Sequence, residues 1–386
     1  MAALQGDQDR GARLRELAAL FTRLGTTAFG GPAAHISMME EEVVRRHRWL
    51  SRQEFLDMLG ATNLIPGPNS TELAIHVGYA RAGLPGLLVA GSCFILPAAT
   101  MTLGIAWAYV RYGALPQVSS FLYGVKPVIT VIVFQALWRL GRSAIKSRAL
   151  AALTAAAVAS SALGVHELVV LLGGGLLGMV AVRWRGWKLD LPAALPWKVA
   201  TPMVTAALAG AAVAPFSLTA LFLFFLKVGS VLFGSGYVLL AFLRADLVER
   251  WHWLTNAQLL DAIAVGQFTP GPVFCTATFI GYLLGRTPGA VLATIGIFLP
   301  AFVFVALSGL VLPRLRRSKL TGGFLDGLNA ASLALMATVS WELARTALLD
   351  WRTLLVAAAG ALGLALRINS GWLVLGGGLA GYMVAP

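Results

Sequence analysis

Ionisable residues inside apolar segments are the places where this sequence could do chemistry. Arg23 and Lys227 each precede a Phe-Gly pair, and 23 + 204 is 227. Lys126, followed by Pro127, lies in a third apolar stretch. Charges inside a membrane segment are costly and are therefore functional candidates. Two cations on equivalent helices predict a site for a divalent oxyanion, with Lys126 as a third counter-charge. The alternative is that these side chains lie near helix ends and snorkel to water.

Glu72 and His76 are the candidates for carrying a proton. Glu72 has no carboxylate counterpart, because 72 + 204 is Thr276. In the first turn of a helix it could simply balance the helix dipole. Buried among apolar groups it could instead hold a proton, since burial favours the neutral form of a carboxyl. For His76, as for His35, the alternative is a packing residue held by hydrogen bonds.

Two Pro-Gly-Pro breaks, Pro66-Gly67-Pro68 and Pro270-Gly271-Pro272, predict where a substrate would bind. Irregular backbone at membrane depth is tolerated only where protein buries it or where it lines a cavity. The helix that follows each break presents free N–H groups and the positive end of its dipole, which suits an anion. The alternative is that the breaks only shape the bundle. The first turns after them are Asn69-Ser70-Thr71-Glu72 and Val273-Phe274-Cys275-Thr276.

A second pair of motifs, Phe29-Gly30-Gly31-Pro32 and Phe233-Gly234-Ser235-Gly236, ends or interrupts the opening apolar segments. Glycine there could line the substrate path, or it could allow close helix packing. The matching positions of the two copies favour the path.

These motifs belong to a duplication. Phe-Gly, Trp-Leu, Asp and Pro-Gly-Pro recur at a shift of 204 residues, and Gly-Tyr, Pro-Gly and Leu-Pro-Ala recur at a shift of 203. In a membrane chain, two copies of a motif that breaks hydrophobic segments indicate a transporter with its substrate site between the copies.

The composition is that of a membrane protein. Of 386 residues, 58% are hydrophobic and 12% are charged, and the mean hydropathy is +0.77. The net charge of +13 comes from short basic runs between apolar segments, which is typical of cytoplasmic loops and argues against nucleic acid as a partner. Walker, HExxH and CxxC motifs are absent from the sequence, so we expect no cofactor and no ATP-driven pump.

Apolar stretches predict thirteen spans, six in each copy and one between them. Val43 to Asn63 and Val248 to Phe268 are too polar to span, and we expect interfacial or re-entrant helices with capping boxes at Ser51 and Thr255. The predicted spans are 14–34, 68–82, 85–110, 117–138, 149–164, 166–182, 199–214, 216–239, 272–285, 288–312, 323–344, 353–366 and 371–385.

An odd number of spans before the second copy predicts that this copy is inverted in the membrane. If the N-terminus is cytoplasmic, the basic clusters at 139–148, 183–198 and 314–319 all fall inside, and the C-terminus lies outside. Arg45, Arg46 and Arg48 are the exception, although Glu40, Glu41 and Glu42 lie beside them. The polar stretch Met1 to Glu16 predicts no cleaved signal peptide.

We therefore predict an all-α polytopic membrane protein made of two inverted-topology repeats of about six spans each, plus one linking span, with broken or re-entrant helices. The expected divisions are a cytoplasmic N-terminal tail at 1–13, a first repeat at 14–184, a basic linker and connecting span at 185–215, and an inverted second repeat at 216–386.

The paired motifs closely resemble the chromate ion transporter (CHR) family in its long two-domain form, from about Leu17 onward. The residues that carry the resemblance are Phe29-Gly30-Gly31-Pro32, Pro66-Gly67-Pro68-Asn69-Ser70-Thr71-Glu72, Gly78-Tyr79, Lys227-Val228-Gly229, Phe233-Gly234-Ser235-Gly236-Tyr237 and Pro270-Gly271-Pro272. The resemblance implies a carrier in the bacterial inner membrane that exports chromate, with sulfate as a structural mimic.

The expected mechanism is alternating access driven by the proton gradient, with a dianion held between the two breaks. The expected partners are chromate or sulfate, protons and the lipid bilayer, and a homodimer is left open. A passive oxyanion channel and a sulfate-type carrier not specific for chromate are the alternatives. A membrane-embedded enzyme is disfavoured, because no nucleophile and base share a suitable spacing.

Overall fold

The computed structural model describes residues 2–28, 31–113, 115–184, 215–233, 238–315, 319–366, 368 and 370–385. All regular elements among these residues are helices, which confirms the predicted all-α class. The predicted linking span 199–214 lies outside the described residues.

The described part of the first half contains seven helices. They are α1 (Ala2–Thr27), α2 (Gly31–Glu40, continued by a π-helical segment Glu41–Arg46), α3 (Arg52–Thr62), α4 (Asn69–Tyr112), α5 (Pro116–Ala144), α6 (Arg148–Ala162) and α7 (Glu167–Trp184).

The described part of the second half repeats this order helix by helix. It contains α8 (Leu218–Val231), α9 (Leu239–Phe242, continued by a π-helical segment Leu243–Arg250), α10 (Asn256–Phe268), a 3₁₀ turn (Val273–Cys275), α11 (Thr276–Leu315), α12 (Lys319–Ala347), α13 (Trp351–Ala365) and α14 (Ser370–Val384).

Both predicted capping boxes are confirmed. The Ser51 hydroxyl accepts a hydrogen bond from the Glu54 N–H at the start of α3, and the Glu54 carboxylate accepts one from the Ser51 N–H at 2.8 Å. Thr255 and Gln258 make the same pair of bonds at the start of α10. Reciprocal bonds of this kind satisfy two first-turn donors, and they explain why both polar helices begin where they do.

The longest helix of each half is folded back on itself. In α4 the backbone leaves helical geometry at Ala82 and Gly83, where Gly83 has φ +65°, and in α11 it does so at Gly285 and Arg286. A Cβ on Gly78 would collide with the carbonyl oxygen of Gly86. In a straight helix two residues eight positions apart are about 12 Å apart. The α4 chain therefore reverses, as the separate predicted spans 68–82 and 85–110 require.

Among the described residues, four helical stretches are long and apolar enough to cross a membrane, judged by length and composition. They are Asn69–Tyr112, Gln117–Arg142, Val273–Ser308 and Gly322–Ala347. Shorter apolar helices accompany them, including Arg148–Ala162 and Trp351–Ala365. A helix of 15 residues reaches only about 22 Å, less than a hydrocarbon core of about 30 Å.

Helices of each half pack against helices of the other half. Helix α5 of the first half packs against α13 and α14 of the second, while α12 of the second half packs against α6 and α7 of the first. Glycines allow these contacts: a Cβ on Gly124 would meet the backbone of Gly377 and Gly381, and one on Gly327 would meet that of Gly174 and Gly178. Small residues that let helix backbones approach are the usual means of association in membranes.

Candidate functional site

Each Pro-Gly-Pro break is hydrogen-bonded to the other half of the chain, and we call this pair of contacts the crossing. The Gly67 N–H donates to the Leu232 carbonyl at 2.8 Å, and the Gly271 N–H donates to the Ala28 carbonyl at 3.0 Å. Ala28 and Leu232 are equivalent positions, each just before a Phe-Gly pair. Each break therefore uses the end of the other half's opening helix to satisfy a backbone group that would otherwise be unpaired.

Both central positions of the breaks require glycine. Gly67 has φ +140° and Gly271 has φ +86°. A Cβ on Gly271 would lie 2.8 Å from the Cβ of Ala98 and 2.9 Å from the carbonyl oxygen of Gly25. A Cβ on Gly67 would collide with a carboxyl oxygen of Glu72. The crossing thus depends on backbone conformations and close approaches that other residues do not allow.

A cavity of about 410 Å³ opens at this crossing. Residues next to both breaks line it, Asn69 and Ser70 from the first half and Val273 and Phe274 from the second. The remaining lining residues are Pro32, Ile36, Asn63, Pro68, Ile132, Gln135, Ala136, Arg139, Leu140, Ala144, Lys146, Val238, Pro272, Asp326, Asn329, Ser332, Leu333 and Met336.

The cavity receives helix N-termini from both halves. At the start of α4 the N–H groups of Thr71 and Glu72 bond to the Pro68 carbonyl, at 2.8 and 3.0 Å. The N–H groups of Asn69 and Ser70 precede this ladder and have no partner within the helix. The Asn69 amide also donates to Asn63 at 2.9 Å, so the first half supplies a polar surface. Free N–H groups and positive dipole ends at one cavity suit an anion.

Charged side chains, Arg139, Lys146 and Asp326, also line the cavity. The Lys146 ammonium pairs with the Asp326 carboxylate at 2.8 Å. Sequence reasoning placed both cations in a cytoplasmic loop and missed them as lining residues. The signal was present in α5, because Ile132, Gln135 and Arg139 recur at helical spacing on one face. This face of α5 runs from the breaks to the exposed loop that follows the helix.

Arg23 and Lys227 each bind a carboxylate. The guanidinium of Arg23 lies 2.7 Å from Glu42, and the Lys227 ammonium lies 2.5 Å from Asp246. Arg46 pairs with Glu42 and Arg250 pairs with Asp246, and all three members of each cluster are related by the shift of 204. The shift of 204 relates these carboxylates in the sequence as well, and it is the signal that predicts the two clusters.

Lys126 is part of a contact between the halves. Its ammonium lies 3.3 Å from the Asp261 carboxylate on α10, and the Tyr109 hydroxyl donates to Asp261 at 2.8 Å. Asp57, the equivalent of Asp261, is exposed on α3. Lys126 is thirteen residues from Arg139 on α5, a distance of about 20 Å along the helix. Among the described residues, the cavity lining includes none of Arg23, Lys126 and Lys227.

Glu72 is fully buried behind the cavity wall. Its carboxyl lies against Gly67, and neither carboxyl oxygen has a hydrogen-bond partner among the described residues. Thr71 and His76 are also buried in α4. Thr276, the equivalent of Glu72, donates its hydroxyl to the Val273 carbonyl at 2.8 Å. An unpaired buried carboxylate is costly, which favours the neutral form of Glu72.

His35 connects the cavity to the crossing. Its side chain is buried, with Nε2 3.0 Å from the Ala28 carbonyl oxygen and Nδ1 3.2 Å from the Ser70 hydroxyl. The ring packs edge-on against Phe94. Sequence reasoning offered a packing role for this histidine, and these contacts could not be read from spacing alone.

The Phe-Gly motifs are described in part. Phe29, Gly30 and Gly234 lie outside the described residues. Gly31 begins α2 with φ +76°, and Phe233 packs partly buried against the core. Pro66 and Pro270 open the two breaks.

Comparisons with known proteins agree with this two-part organisation. The chromate transporter family matches residues 15–179 and 219–382. A chromate transport protein of Cupriavidus metallidurans is 32% identical over 350 residues, which cover 89% of this chain and 86% of that protein. A chromate transport protein of Pseudomonas aeruginosa is 32% identical over 391 residues, covering 96% of this chain and 92% of that protein.

A shorter relative matches about one repeat. An uncharacterized transporter of Bacillus subtilis is 32% identical over 155 residues, which cover 40% of this chain and 79% of that protein. No solved structure gives a significant match. The named relatives are transporters rather than enzymes, and the family match covers both copies of the motif. The resemblance seen in the sequence is thereby confirmed, and the chain belongs to the chromate transporter family.

Proposed function

We propose that this protein is a secondary active transporter that exports a divalent oxyanion, chromate with sulfate as a mimic, from the cytoplasm by alternating access driven by the proton gradient. The observation that carries the proposal is the cavity of about 410 Å³ beside the two breaks, which is lined by residues that follow each break and by Arg139 and Lys146. The names of the relatives support chromate as the substrate.

The dianion binds where Asn69 and Ser70 meet Val273 and Phe274. Backbone N–H groups and the Ser70 hydroxyl donate to its oxygens, and the positive ends of the helix dipoles favour its charge. Arg139 and Lys146 raise the local anion concentration at the mouth. The apolar side chains of the second half exclude water, which strengthens each of these interactions.

The mouth of the cavity faces the cytoplasm. Arg139 and Lys146 belong to a basic cluster that the positive-inside rule assigns to that side, with the N-terminus inside and the C-terminus outside. In this arrangement the repeats at 14–184 and 216–386 are inverted, joined by the linker at 185–215, in the bacterial inner membrane. A chain inserted the other way would place the mouth outside.

The opposite end is closed by Lys126, Asp261 and Tyr109, which join the two halves. Rocking of one half against the other separates this cluster and exposes the site to the far side. In that step Lys126 and the paired cations Arg23 and Lys227 exchange their carboxylates for the substrate. A passive channel needs no such closure, so this cluster favours a transporter.

Glu72 couples transport to protons. Its carboxyl lies against Gly67, whose N–H makes one of the two bonds between the halves. A charge there has no partner among the described residues, so loss of the proton destabilises this arrangement of the crossing. His76, one turn further along α4, is the second residue of the proton path.

Uptake of labelled chromate and sulfate into everted membrane vesicles tests the proposal. We expect accumulation against a gradient when a proton gradient is imposed, and none after its collapse. Equilibration without accumulation would instead establish a passive channel. Sulfate uptake without chromate uptake would establish a sulfate-type carrier. Replacing Arg23 and Lys227 together by Gln should abolish uptake, and unchanged uptake would remove both from the substrate path.

A further inference from the structure

We propose that His35 controls the direction of the Ser70 hydroxyl and thereby links oxyanion binding in the cavity to the binding of one proton. The inference rests on the proposed function, because it assumes that the cavity binds an oxyanion. It assigns a positioning role to a histidine that does not itself line the cavity.

The hydrogen bonds determine the form of the empty site. A carbonyl oxygen can only accept, so the contact of 3.0 Å with Ala28 requires the proton of a neutral ring to be on Nε2. Nδ1 then has only a lone pair to offer. It must accept the Ser70 hydroxyl proton across the contact of 3.2 Å. In this form Ser70 presents oxygen lone pairs to the cavity, and an oxyanion, which is an acceptor only, is repelled.

Protonation of His35 reverses the Ser70 bond. Both ring nitrogens of an imidazolium donate, so Nδ1–H now donates to the Ser70 oxygen while Nε2–H keeps its bond to Ala28. The Ser70 hydroxyl proton is then free to turn into the cavity and donate to the anion. The proton comes from solvent and remains on His35, and no covalent bond other than N–H forms. The bound anion and the imidazolium stabilise each other.

The surroundings of His35 keep the empty site neutral. Burial lowers the pKa of His35 to about 4, and the hydrogen bond to Ala28 offsets part of that shift. Helices α1 and α4 and the π-helical continuation of α2 pack against α2. Their ionisable groups include Arg23 on α1, Glu72 and His76 on α4, and Glu42 on the continuation. None of them is a cause of the shift, and Arg23 and Glu42 pair with each other.

The sign of the pH dependence follows. An anion that favours the imidazolium raises the pKa of His35 above its value of about 4 in the empty site. Anion affinity therefore increases as the pH falls toward 4 and levels off below it. The second half has Leu239 and Phe274 at the equivalent positions, so this device exists once in the described molecule.

The same histidine reaches the crossing of the halves. The Ala28 carbonyl accepts hydrogen bonds from both His35 and the Gly271 N–H. A protonated ring makes a stronger hydrogen bond to this carbonyl than a neutral ring does. Binding of the anion and the proton therefore affects the Gly271–Ala28 hydrogen bond, which joins the first half to the second break.

Calorimetry of sulfate binding to the purified full-length protein tests the inference. Sulfate does not change its protonation state between about pH 5 and pH 8, so any pH dependence belongs to the protein. We expect affinity to rise by up to about tenfold for each unit of pH decrease. Titrations in two buffers of different ionisation enthalpy should show uptake of protons, approaching one per sulfate.

Three variants assign the effect. His35→Asn places a group that does not titrate at the Nδ1 position and should remove the pH dependence. Ser70→Ala should weaken sulfate binding and should also remove the pH dependence. His252→Asn is the matched control, because His252 is exposed and has φ +54°, a conformation that Asn tolerates.

Two results would overturn the inference: a wild-type pH dependence in His35→Asn, or sulfate binding by the wild type without proton uptake. If His35→Asn does not fold, proton uptake provides the test. The wild type should take up protons when it binds sulfate, and Ser70→Ala should not. A protein that binds neither sulfate nor chromate at any pH refutes the proposed function itself, which is distinct from binding that lacks a pH dependence.

Discussion

The two Pro-Gly-Pro breaks have the same backbone arrangement but different chemistry. Each has a central glycine bonded to the other half's opening helix, at 2.8 Å for Gly67 and 3.0 Å for Gly271. After the first break come polar and ionisable side chains, including Ser70 and Glu72. After the second come Phe274 and a threonine whose hydroxyl bonds to its own turn. The two copies share their backbone geometry, and we propose that the substrate and proton chemistry is concentrated in the first half.

Replacing the glycines should have the largest effect. Gly271→Ala places a Cβ 2.9 Å from the backbone oxygen of Gly25, which cannot move without α1, in a conformation unfavourable for alanine. We expect a loss of about 3 kcal/mol in the free energy of unfolding, with little folded protein. In Gly67→Ala the obstacle is the movable side chain of Glu72, so the loss should be smaller. Thermal unfolding of both variants checks the order, and equal losses would contradict the comparison.

Breaking the contact between the halves should come next. Lys126→Met leaves the buried Asp261 carboxylate with only Tyr109, and we expect a loss of about 3 kcal/mol in stability or a shift toward the opposite open state. Asp57→Asn is the matched control, because Asp57 is the exposed counterpart. Thermal unfolding together with cysteine accessibility at the closed end measures both effects. Similar behaviour of the two variants would refute the assignment of this end as a gate.

Exchanging the cavity residues should separate substrate chemistry from scaffold. Ser70→Ala removes a hydrogen bond to a charged ligand, worth about 1.5–3 kcal/mol, so sulfate affinity should fall roughly tenfold to a hundredfold. Phe274→Leu, which removes no polar group, should change it by less than about threefold. The binding titrations measure both. A larger loss in Phe274→Leu would reverse the roles of the two halves.

The capping boxes should give the smallest effect, and an equal one. Ser51→Ala and Thr255→Ala each remove a helix cap worth about 1 kcal/mol. Because the bonds are the same in both halves, we expect matching decreases in melting temperature and unchanged substrate affinity. A large difference between the two variants would show that the polar helices carry unequal loads.

Much of the fold could be predicted, because it depends on local patterns. Helix boundaries at Ser51 and Thr255, the reversal after Gly78 and the division into two copies follow from caps, glycines and the shift of 204. The site was predicted less completely. Asn69 and Ser70, which follow the first Pro-Gly-Pro break, line the cavity, and their role in substrate binding stays a prediction. Arg139 and Lys146 were missed, because the spacing along one helix does not reveal which neighbour that helix faces.

The sequence by itself determined the membrane class, the duplication and the positions where helices break, since these depend on composition and on neighbouring residues. Only the tertiary structure decided which groups meet. It paired Arg23 with Glu42, Lys126 with Asp261, and His35 with both Ser70 and Ala28. Such contacts arise from packing between helices that are far apart in the chain. One spacing in a repeated sequence is compatible with many packings, and burial together with backbone hydrogen bonding selects one of them.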